Sequence, residues 1–498
     1  MSVISFAFAS AALTTIANRS GVGWSWDTSD YVAVGKNFAD GKGLLDATGI
    51  PMTVRPPGLS FLIATGDLLG ANVNLTIQVL NFFCAAIVVI ATNQLLQIAQ
   101  VSKTVRLITT AFIAFSPALL WQYSMIWSEP PFIALVVISM LVSLQKANVN
   151  KFVILTLLFT ALFFIRYVGP VFAFSIAVAS TLHDRHQLKF NKSLFVNFGA
   201  FAISLVPVWF WLERNKSLDG TLTGARTPGG GNLLGPLKTF TGTIGSWVTA
   251  SPVEGGIFLS WNDHPTNTKI FGVGAVVILI ALLASYAITQ FRRTKFMETS
   301  SILTLSLSIS IFYIIFSAYR FVYLELGPLD NRMMIPIYVP LVLISAITAG
   351  KIQIDSKSLR RGFTGLFTLL VVFQAVSSFD DASKFGRDGR YWATSAFINQ
   401  PIHQIVDEIP ADSALMSNQP QQLFAVWQNS SILNQHQLEL AQNAECEHRY
   451  FVWYSSSYDD GTPNLEGQPD GGAVLYTDSS GSVFDLGPCN SDVTKYWP

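Results

Sequence analysis

Long apolar stretches separated by short polar connections dominate the chain up to about residue 379. Windows of roughly 16–22 apolar residues are long enough to cross the hydrocarbon core of a bilayer as helices. Such windows recur about eleven times, near residues 3–18, 76–97, 105–122, 130–145, 151–165, 168–182, 194–211, 270–290, 300–318, 333–349 and 362–379. The pattern therefore predicts an integral membrane protein, an all-α multi-pass bundle of about eleven transmembrane helices.

Composition agrees with this prediction. Of the 498 residues, 50% are hydrophobic and 12% are charged, whereas about a quarter of a soluble chain is charged. The first apolar stretch has no basic residue before it, so it is interpreted as a membrane anchor and not as a signal peptide. The formal net charge of zero gives no indication of a nucleic-acid partner.

The charged residues predict the orientation of the bundle. With the N-terminus inside, one set of loops is short and basic, as the positive-inside rule requires. These loops hold Lys103, Arg106, Lys146, Lys151, Arg185, Lys189, Lys192, Arg292, Arg293, Lys295, Lys351, Lys357, Arg360 and Arg361. The opposite face carries Asp27, Asp30, Glu129, Glu213, Asp219, Asp263, Glu325 and Asp330. The C-terminus is therefore predicted to be extracytoplasmic on a cell membrane.

Two loops on the predicted outer face are too long to be plain connections. The first, residues 20–75, is interpreted as a polar loop, an amphipathic helix at 31–39, a glycine turn and a second helix at 59–69. That second helix is too short to span a bilayer and is expected in the membrane interface. The second loop, residues 213–268, is rich in glycine and predicts a flap that orders when substrate binds.

Beyond residue 379 the composition becomes that of a soluble domain. A helix is predicted at 391–408, and strands at 414–416, 450–454 and 473–476. The chain is thus divided into a transmembrane domain, 1–379, and a small extracytoplasmic α/β domain, 380–498. Cys446 and Cys489 both lie in the second domain, where an oxidising compartment permits a disulfide between them. Cys84 lies within a predicted span.

Four motifs follow one another on the predicted outer face. Residues 27–31 read DTSDY, residues 41–43 read GKG, residues 55–58 read RPPG, and residues 128–130 read SEP. Their order resembles GT-C glycosyltransferases of the protein-mannosyltransferase and aminoarabinose-transferase type, over roughly residues 20–340. Such enzymes take a sugar from a polyprenyl-phosphate carrier. The resemblance implies a GT-C-like bundle with its active site outside.

The resemblance also implies roles for the acidic residues. Asp27 matches the aspartate of the family's Asp-Glu pair and would act as the general base, while Thr28 replaces the glutamate and Asp30 substitutes for it. Glu129 would bind a metal or hold the acceptor. The alternatives are helix caps: Asp27 capping the helix through Tyr31, and Ser128 with Glu129 capping the next span.

The basic residues of the motifs are expected to bind the donor. Arg332, before an apolar helix with an early proline, resembles the family's arginine that binds the carrier phosphate. Arg55 and Lys42 would contact the same anion, and Tyr31 and Arg166 would bind substrate. The alternatives are an ion pair between Arg332 and Asp330, and snorkelling of Arg166 to lipid headgroups.

No cofactor is required by the sequence. A divalent metal (Mg, Mn or Zn) held by Asp27, Glu129 and His264 is one interpretation, because oxygen and imidazole ligands suit such ions. His264 as an ordinary loop residue, with a role in substrate binding or none, is the other. Trp427, Trp453 and Tyr454 would either stack on a sugar acceptor or pack in the small domain.

The predicted function is therefore inverting transfer of a sugar from a polyprenyl-phosphate carrier to an acceptor hydroxyl, with Asp27 as base. The acceptor is a glycan, a lipid or a protein, and the lipid bilayer is the other partner. A transporter or flippase of a lipid-linked or anionic solute is the alternative, and a sensor or scaffold is a third. A transporter would be expected to carry charged or glycine- and proline-broken segments near mid-span and repeats related by topology, whereas the charges lie at the external ends of the spans and no repeat is found.

Overall fold

Helices occupy every stretch that the apolar pattern predicts to span a membrane. The computed structural model describes residues 2–184, 190–224, 234–250, 262, 264–292, 301–323, 330–351, 357–410, 412–428, 432–434, 437, 441–442, 446–456, 468–489 and 492–497. The helices are α1 Val3–Ala17, α2 Trp26–Ala39, α3 Gly58–Leu68, α4 Val73–Ile98, α5 Lys103–Ala114, α6 Pro117–Tyr123, α7 Glu129–Ser143, α8 Val149–Ile165, α9 Gly169–Asp184, α10 Phe190–Asp219, α11 Leu234–Thr249, α12 Thr266–Arg292, α13 Ser301–Tyr323, α14 Asn331–Met334, α15 Tyr338–Lys351, α16 Lys357–Asp388, α17 Ser395–Ile398, α18 Pro401–Asp407 and α19 Pro420–Phe424.

Length and composition divide these helices into two groups. Six are long and apolar enough to cross a membrane: α4, α10, α12, α13, α16 and the unit formed by α14 and α15. The bent pair α5 and α6 makes a seventh if it is one span. The apolar helices α1, α7, α8 and α9 coincide with predicted spans but have only 10–17 described residues. The structure thus indicates a membrane protein, while the count of about eleven spans stays a prediction.

Local sequence explains where several helices begin. Asn72 and Asn148 cap α4 and α8 by accepting hydrogen bonds from the backbone N–H groups of Leu75 and Lys151, both at 2.8 Å. Between α5 and α6 the axis bends by 42°. Ser116 caps α6 and Pro117 occupies its first position, so the proline restarts the helix instead of continuing α5.

One predicted loop cation lies elsewhere. Lys151 is not in a basic loop but on the first turn of α8, fully buried, with its Nζ 3.2 Å from Ser180 Oγ. The helix begins at Val149, earlier than the apolar pattern suggested. Lys151 therefore stands at the same end of α8 as the basic loop that holds Lys146, but its side chain is buried in the bundle.

The first long loop is more helical than predicted. Helix α2 begins at Trp26 and not near residue 31, so Asp27 and Asp30 lie on a helix and not in a polar loop. Thr28 Oγ1 accepts a hydrogen bond from the Ser25 backbone N–H at 3.2 Å and holds this first turn. Helix α3 packs across α2 at Gly35, where a Cβ atom would lie 2.9 Å from the Ser60 carbonyl oxygen.

The C-terminal region contains a five-stranded sheet: β1 Ala414–Ser417, β2 Leu433–Asn434, β3 His448–Tyr454, β4 Ala473–Thr477 and β5 Gly481–Pro488. The strand order is β2-β1-β3-β5-β4. Strands β1, β2 and β3 are parallel, with Met416 opposite Leu433 and Phe451, whereas β5 runs antiparallel between β3 and β4. The predicted strands are present, and β2 and β5 are additional.

Two boundaries in this region differ from the prediction. Helix α16 continues to Asp388, past the predicted domain boundary at 379. The single helix predicted at 391–408 is two short ones, α17 and α18, because Pro401 starts a new helix after Asn399 has ended the first.

The C-terminal sheet shares its hydrophobic core with the first long loop. Tyr31 and Val32 of α2 and Leu59 of α3 belong to the same buried cluster as Trp392 and Val483. The bundle has a separate, larger core. The C-terminal region is therefore packed onto α2 and is not an independent appendage, which places it beside the residues that the motifs single out.

Candidate active site

Three chain segments meet in a small backbone ladder at the start of α2. The Gly23 N–H donates to the Ser124 carbonyl at 2.8 Å, and the Ile126 N–H donates to the Gly23 carbonyl at 3.1 Å. On the other side, the Trp392 N–H donates to the Trp24 carbonyl at 3.0 Å. A Cβ at Gly23 would lie 2.9 Å from the Ser124 carbonyl oxygen, so glycine permits this approach.

The ladder brings α2 beside the SEP motif. Trp127 Nε1 donates to Ser25 Oγ at 2.8 Å, and Thr28 Oγ1 donates to the Ile126 carbonyl at 3.1 Å. Residues 25–28 and 126–129 are thus locked together. The motifs at 27–31 and 128–130, about 100 residues apart in sequence, form one site.

Arginines and carboxylates alternate across this site in a continuous ion-pair network. Arg55 Nη1 lies 2.6 Å from Asp30 Oδ2, and its Nη2 pairs with Asp27 Oδ1. Arg332 pairs through Nη2 with Asp27 Oδ2 and through Nε with Glu129 Oε1 at 2.9 Å. Both oxygens of Asp27 are therefore held by arginine.

Arg166 completes the network. It pairs with Glu129 Oε1 and donates from Nη1 to Ser128 Oγ at 3.0 Å, and Tyr31 OH lies 3.3 Å from the same Ser128 oxygen. Three arginines face three carboxylates, so the network is neutral when all are ionised. Because the charges balance, so many charged side chains can lie close together in a mostly buried site.

Exposure differs sharply within the network. The Asp27 side chain is 25% exposed, the three arginines are 13–16% exposed, Asp30 is 6% exposed and Glu129 is fully buried. Asp27 is therefore the carboxylate of the network that is most accessible to solvent. Glu129 lies behind it as an anchor for Arg166 and Arg332.

Aromatic rings support two of the guanidinium groups. The Arg332 guanidinium carbon lies 4.4 Å from the centre of the Trp127 ring, and that of Arg55 lies 5.9 Å from the Tyr31 ring. Such cation–π contacts stabilise a guanidinium group where water is scarce. They also restrict the directions in which the two arginines can donate.

The two carboxyls of α2 differ in acidity. Burial alone would raise the pKa of Asp27, but the charges of Arg332 and Arg55 outweigh it and hold that pKa well below its usual range. Burial raises the pKa of Asp30 to about 7, and the attraction of Arg55 offsets this only in part. Asp27 is thus a stable carboxylate, whereas Asp30 titrates near neutrality.

The contacts also decide between the alternatives for the motif residues. Ser128 makes no side-chain capping bond and instead binds Arg166 and Tyr31, and Asp27 pairs with arginines instead of capping α2. Arg166 is tied to Glu129 and does not snorkel. Asp330 caps α14 through the Met333 N–H at 2.8 Å, while the ion pairs of Arg332 run to Asp27 and Glu129.

Two predicted site residues lie outside the network. Lys42 is 58% exposed and pairs with Asp40 at 2.9 Å, because GKG forms an exposed turn after α2. His264 is buried against Gly242 of α11, where a Cβ would lie 2.4 Å from its ring. Its neighbour Asp263 and the glycine-rich part of the 213–268 loop, residues 225–233, lie outside the described residues.

The proposed metal set is not assembled. In the part of the chain that the structure describes, no group of three His, Cys, Asp or Glu side chains could hold a metal ion. Both carboxylate oxygens of Asp27 and Oε1 of Glu129 are held by arginines, which compete directly with a cation. The residues present do not fit the metal that the resemblance allowed, and no catalytic step is assigned to one.

The C-terminal cysteines form a disulfide, Cys446–Cys489, and Cys84 is a free, buried thiol. The proposed aromatic acceptor residues are mostly inside this region. Trp427 and Tyr454 lie in the core shared with α2, and Trp453 packs at the edge of a second small cluster. Packing is therefore the interpretation that the structure favours for these rings.

Comparison with known proteins adds the fold of the whole chain. No protein-family model and no curated protein sequence matches it. The crystal structure of ArnT from Cupriavidus metallidurans bound to undecaprenyl phosphate aligns over 97% of both chains with a TM-score of 0.61 at 10% identity, and apo ArnT with 0.59. The arabinofuranosyltransferase AftD from Mycobacteria aligns over 98% of this chain and 40% of its own length, with a TM-score of 0.52 at 13% identity.

The chain has the GT-C fold of these proteins. The resemblance inferred from the motifs is thereby confirmed at the level of the fold. Identities of 10% and 13% establish no reaction for this chain, so its chemistry has to be argued from the ion-pair network.

Some residues of this site were not anticipated from the sequence. Trp127, which lies under the Arg332 guanidinium, directly precedes the SEP motif. That position is the sequence feature that could have indicated its place in the site. Gln421 of α19 lies beside Asp30, and its carbonyl accepts from Ser29 Oγ at 2.6 Å. No local pattern marks Gln421, because its role arises only from the packing of the C-terminal region on α2.

Proposed function

We propose that this protein transfers a sugar from a polyprenyl-phosphate carrier to an acceptor hydroxyl on the extracytoplasmic side of a cell membrane. The observation that carries the proposal is the convergence of Arg55 and Arg332 on Asp27, at one end of a GT-C bundle. Sugar transfer needs a carboxylate to accept the hydroxyl proton and cations to stabilise the departing phosphate. The undecaprenyl phosphate bound to ArnT gives the fold a precedent for such a carrier.

The proposed reaction is a single displacement. The acceptor oxygen attacks the anomeric carbon and passes its proton to Asp27, while the bond between that carbon and the phosphate oxygen breaks. The bonding electrons stay on the polyprenyl phosphate, whose negative charge grows. Attack from the face opposite the leaving group inverts the anomeric centre.

The arginines stabilise this change in charge. The donor is a phosphodiester with one negative charge, and the released polyprenyl phosphate gains a second. Arg332 and Arg55 therefore attract the leaving group more strongly as the bond breaks, which lowers the barrier and does not only tighten ground-state binding. Glu129 keeps Arg332 and Arg166 near this position from behind.

A carboxylate held by two arginines is a poor base, so donor binding has to change its environment. The donor phosphate competes with Asp27 for the Nη groups of Arg332 and Arg55. As these groups turn toward the phosphate, Asp27 loses the contacts that depress its pKa and becomes able to accept a proton. The base is thus available only when the leaving group is in place.

Two observations support an extracytoplasmic site. The positive-inside rule predicts that the short basic loops lie in the cytoplasm. These loops join the helix ends that lie opposite to the ion-pair network. The disulfide Cys446–Cys489 lies in the region packed on α2, and such bonds persist in oxidising compartments.

The placement of the charged residues argues against the transport alternative, although the bent pair α5 and α6 is a proline-broken segment. The transport alternative predicts charged groups near mid-span, whereas the network residues stand at helix ends. Glu129 is the first residue of α7, Arg166 is the C-cap of α8, and Arg332 lies in α14. A role as a sensor or a scaffold does not explain why these charged residues lie together at the helix ends.

A donor-release assay tests the proposal. Wild-type protein and the Asp27→Asn variant, in lipid nanodiscs, are incubated with a panel of polyprenyl-phosphate sugars and a membrane extract as acceptor. We expect wild type to release polyprenyl phosphate from one donor, and Asp27→Asn to do so roughly 10²- to 10⁴-fold more slowly. Asp40→Asn, a change in the exposed pair with Lys42, is the matched control.

Each outcome of this assay is decisive. Release by wild type and by Asp40→Asn, but not by Asp27→Asn, supports both the reaction and the base. Equal release by all three removes Asp27 from the mechanism. No release from any donor contradicts the proposed reaction, and EDTA or added Mn²⁺ in parallel reactions tests the role of a metal.

A further inference from the structure

One tryptophan stands exposed at the accessible edge of the ion-pair network. Trp26 is the first residue of α2, directly before Asp27, and it is 39% exposed. By contrast, every residue of α2 from Thr28 to Gly35 is buried. The exposed ring of Trp26 thus lies beside this buried stretch of α2 and next to Asp27, whose side chain is a quarter exposed.

The geometry of α2 places Trp26 on the same side of the helix as the proposed chemistry. Residues four apart in a helix lie on one face, which puts Trp26 about 40° from Asp30 around the helix axis, with Asp27 about 60° further on in the same direction. Asp27 is also the most exposed carboxylate of the network. Trp26 and Asp27 are therefore two partly exposed groups within the same turn of α2.

The C-terminal region backs this ring. The Trp26 and Trp392 rings lie 6.4 Å apart between centroids, tilted by 55°, and Trp392 stacks in turn on Phe397 at 6.3 Å. Trp392 is itself 1% exposed and is held by the hydrogen bond from its N–H to the Trp24 carbonyl. Trp26 is thus a ring with one packed side on a rigid support, which restricts its movement.

We propose that Trp26, supported by Trp392, forms the acceptor subsite, and that the acceptor presents a sugar ring to it. A flat aromatic face suits the apolar C–H face of a sugar, while the ring hydroxyls remain free to reach Asp27 and neighbouring polar groups. The inference rests on the proposed function and deepens it, because it selects a glycan or glycolipid acceptor over a peptide hydroxyl. Trp26 is a substrate-contacting residue in this scheme, and Trp392 is a positioning residue.

A binding measurement tests the subsite without requiring turnover. Wild-type protein in nanodiscs is mixed with a panel of methyl glycosides, and saturation transfer to the sugar protons is recorded by NMR. We expect transfer from wild type, its loss in Trp26→Ala and its partial retention in Trp26→Phe, which keeps an aromatic face. Trp209→Ala, which removes another exposed tryptophan, 57% exposed on α10, is the matched control.

A kinetic measurement separates this inference from the proposed function. With the donor identified, Trp26→Ala is expected to raise the acceptor KM by about tenfold or more, a loss of roughly 1.4 kcal/mol, while the donor KM changes by less than about twofold. A raised donor KM with an unchanged acceptor KM would overturn the acceptor assignment. So would glycoside binding that is equal in wild type and Trp26→Ala, or a variant whose only defect is lower membrane insertion.

Discussion

Arg332 donates to the carboxylate of Asp27, although 305 residues separate the two positions in the chain. Arg332 lies in the short helix α14 late in the chain, and Asp27 lies in the first turn of α2. Their contact joins the group proposed to bind the leaving phosphate with the group proposed to accept the proton. Binding of the phosphate and acceptance of the proton are therefore expected to depend on each other.

Replacement of Arg332 by lysine should separate charge from geometry. Lysine keeps one positive charge, but it lacks the planar fork with which arginine contacts Asp27 and Glu129 together. We expect Arg332→Lys to lower the rate of polyprenyl-phosphate release at least about tenfold, since one bidentate contact typically contributes more than 1.4 kcal/mol. Steady-state release in nanodiscs gives the measurement.

The control for this variant is Lys42→Ala. Lys42 was predicted to contact the same anion, but its pair is the exposed Asp40. We expect no more than a small change in donor KM. A donor KM that rises as much in Lys42→Ala as in Arg332→Lys would show that the 41–43 turn folds onto the donor, contrary to the arrangement described above.

The sequence predicts the features of this site that depend on local patterns. It does not predict those that depend on contacts between residues far apart in the chain. The helices and the identity of Asp27, Glu129 and Arg332 are encoded in local patterns: apolar windows, the SEP motif and an early proline. The pairing of these residues is not, because it depends on long-range backbone contacts such as Gly23 with Ser124. The sequence could not show that both oxygens of Asp27 are occupied.

The C-terminal region shows the same limit. Strand β5 was missed because its sequence, GSVFDLGP, mixes strand residues with Gly, Asp and Pro, which are typical of turns. It is a strand because β3 and β4 flank it on both sides. The sharing of one core with α2 was likewise hidden, because nothing in residues 380–498 indicates which surface they cover.

Glu129 should act as the structural anchor of two arginines. Removal of one partner from a buried ion pair leaves an uncompensated charge and costs roughly 3–5 kcal/mol, and Glu129 is fully buried between Arg166 and Arg332. We therefore expect Glu129→Gln to lower the free energy of unfolding by several kcal/mol on that scale. Thermal unfolding of purified protein in detergent gives the comparison.

A double variant provides the control for this prediction. If the cost arises from the unpaired guanidinium of Arg166, then adding Arg166→Gln to Glu129→Gln should recover part of the lost stability. Additive losses from the two single changes would argue that Glu129 and Arg166 do not stabilise the protein through their ion pair.

The disulfide Cys446–Cys489 should contribute to the stability of the C-terminal region. It links positions 43 residues apart, and loop closure over such a length corresponds to about 4 kcal/mol in the chain-entropy model. We expect Cys446→Ser with Cys489→Ser to increase the rate of proteolysis of this region several-fold. Cys84→Ala, which removes the buried free thiol, is the control, and equal proteolysis of both variants would contradict the prediction.

Asp30 should make stability depend on pH. Its pKa is near 3.8 in the unfolded chain and about 7 in the folded protein, where burial disfavours the charge. Between these values the folded state binds more protons, so the free energy of unfolding decreases as pH rises from about 4 to about 7. The effect approaches roughly 1.4 kcal/mol per unit of pKa.

Asp30→Asn removes this titration, so its stability relative to wild type should increase as pH rises from 5 to 8. Melting temperatures measured across that range give the comparison, with Asp40→Asn as an exposed control. The pKa of Asp330 is also raised to about 7 by burial, so some dependence of the same sign should remain in Asp30→Asn. Parallel curves for wild type and Asp30→Asn would mean that Asp30 has an ordinary pKa in the folded protein.

The competition between Asp27 and the donor phosphate for arginine predicts a difference between two pH profiles. In the free protein, Arg332 and Arg55 hold the pKa of Asp27 well below its usual range, and kcat/KM reports free-enzyme groups. In the donor complex the arginines turn to the phosphate and the pKa of Asp27 rises, and kcat reports that complex. The acidic limb of kcat should therefore lie at higher pH than that of kcat/KM, because the rate falls as pH drops through the raised pKa. Coincident acidic limbs would mean that donor binding leaves the arginines on Asp27, and the proposed release of the base would then be wrong.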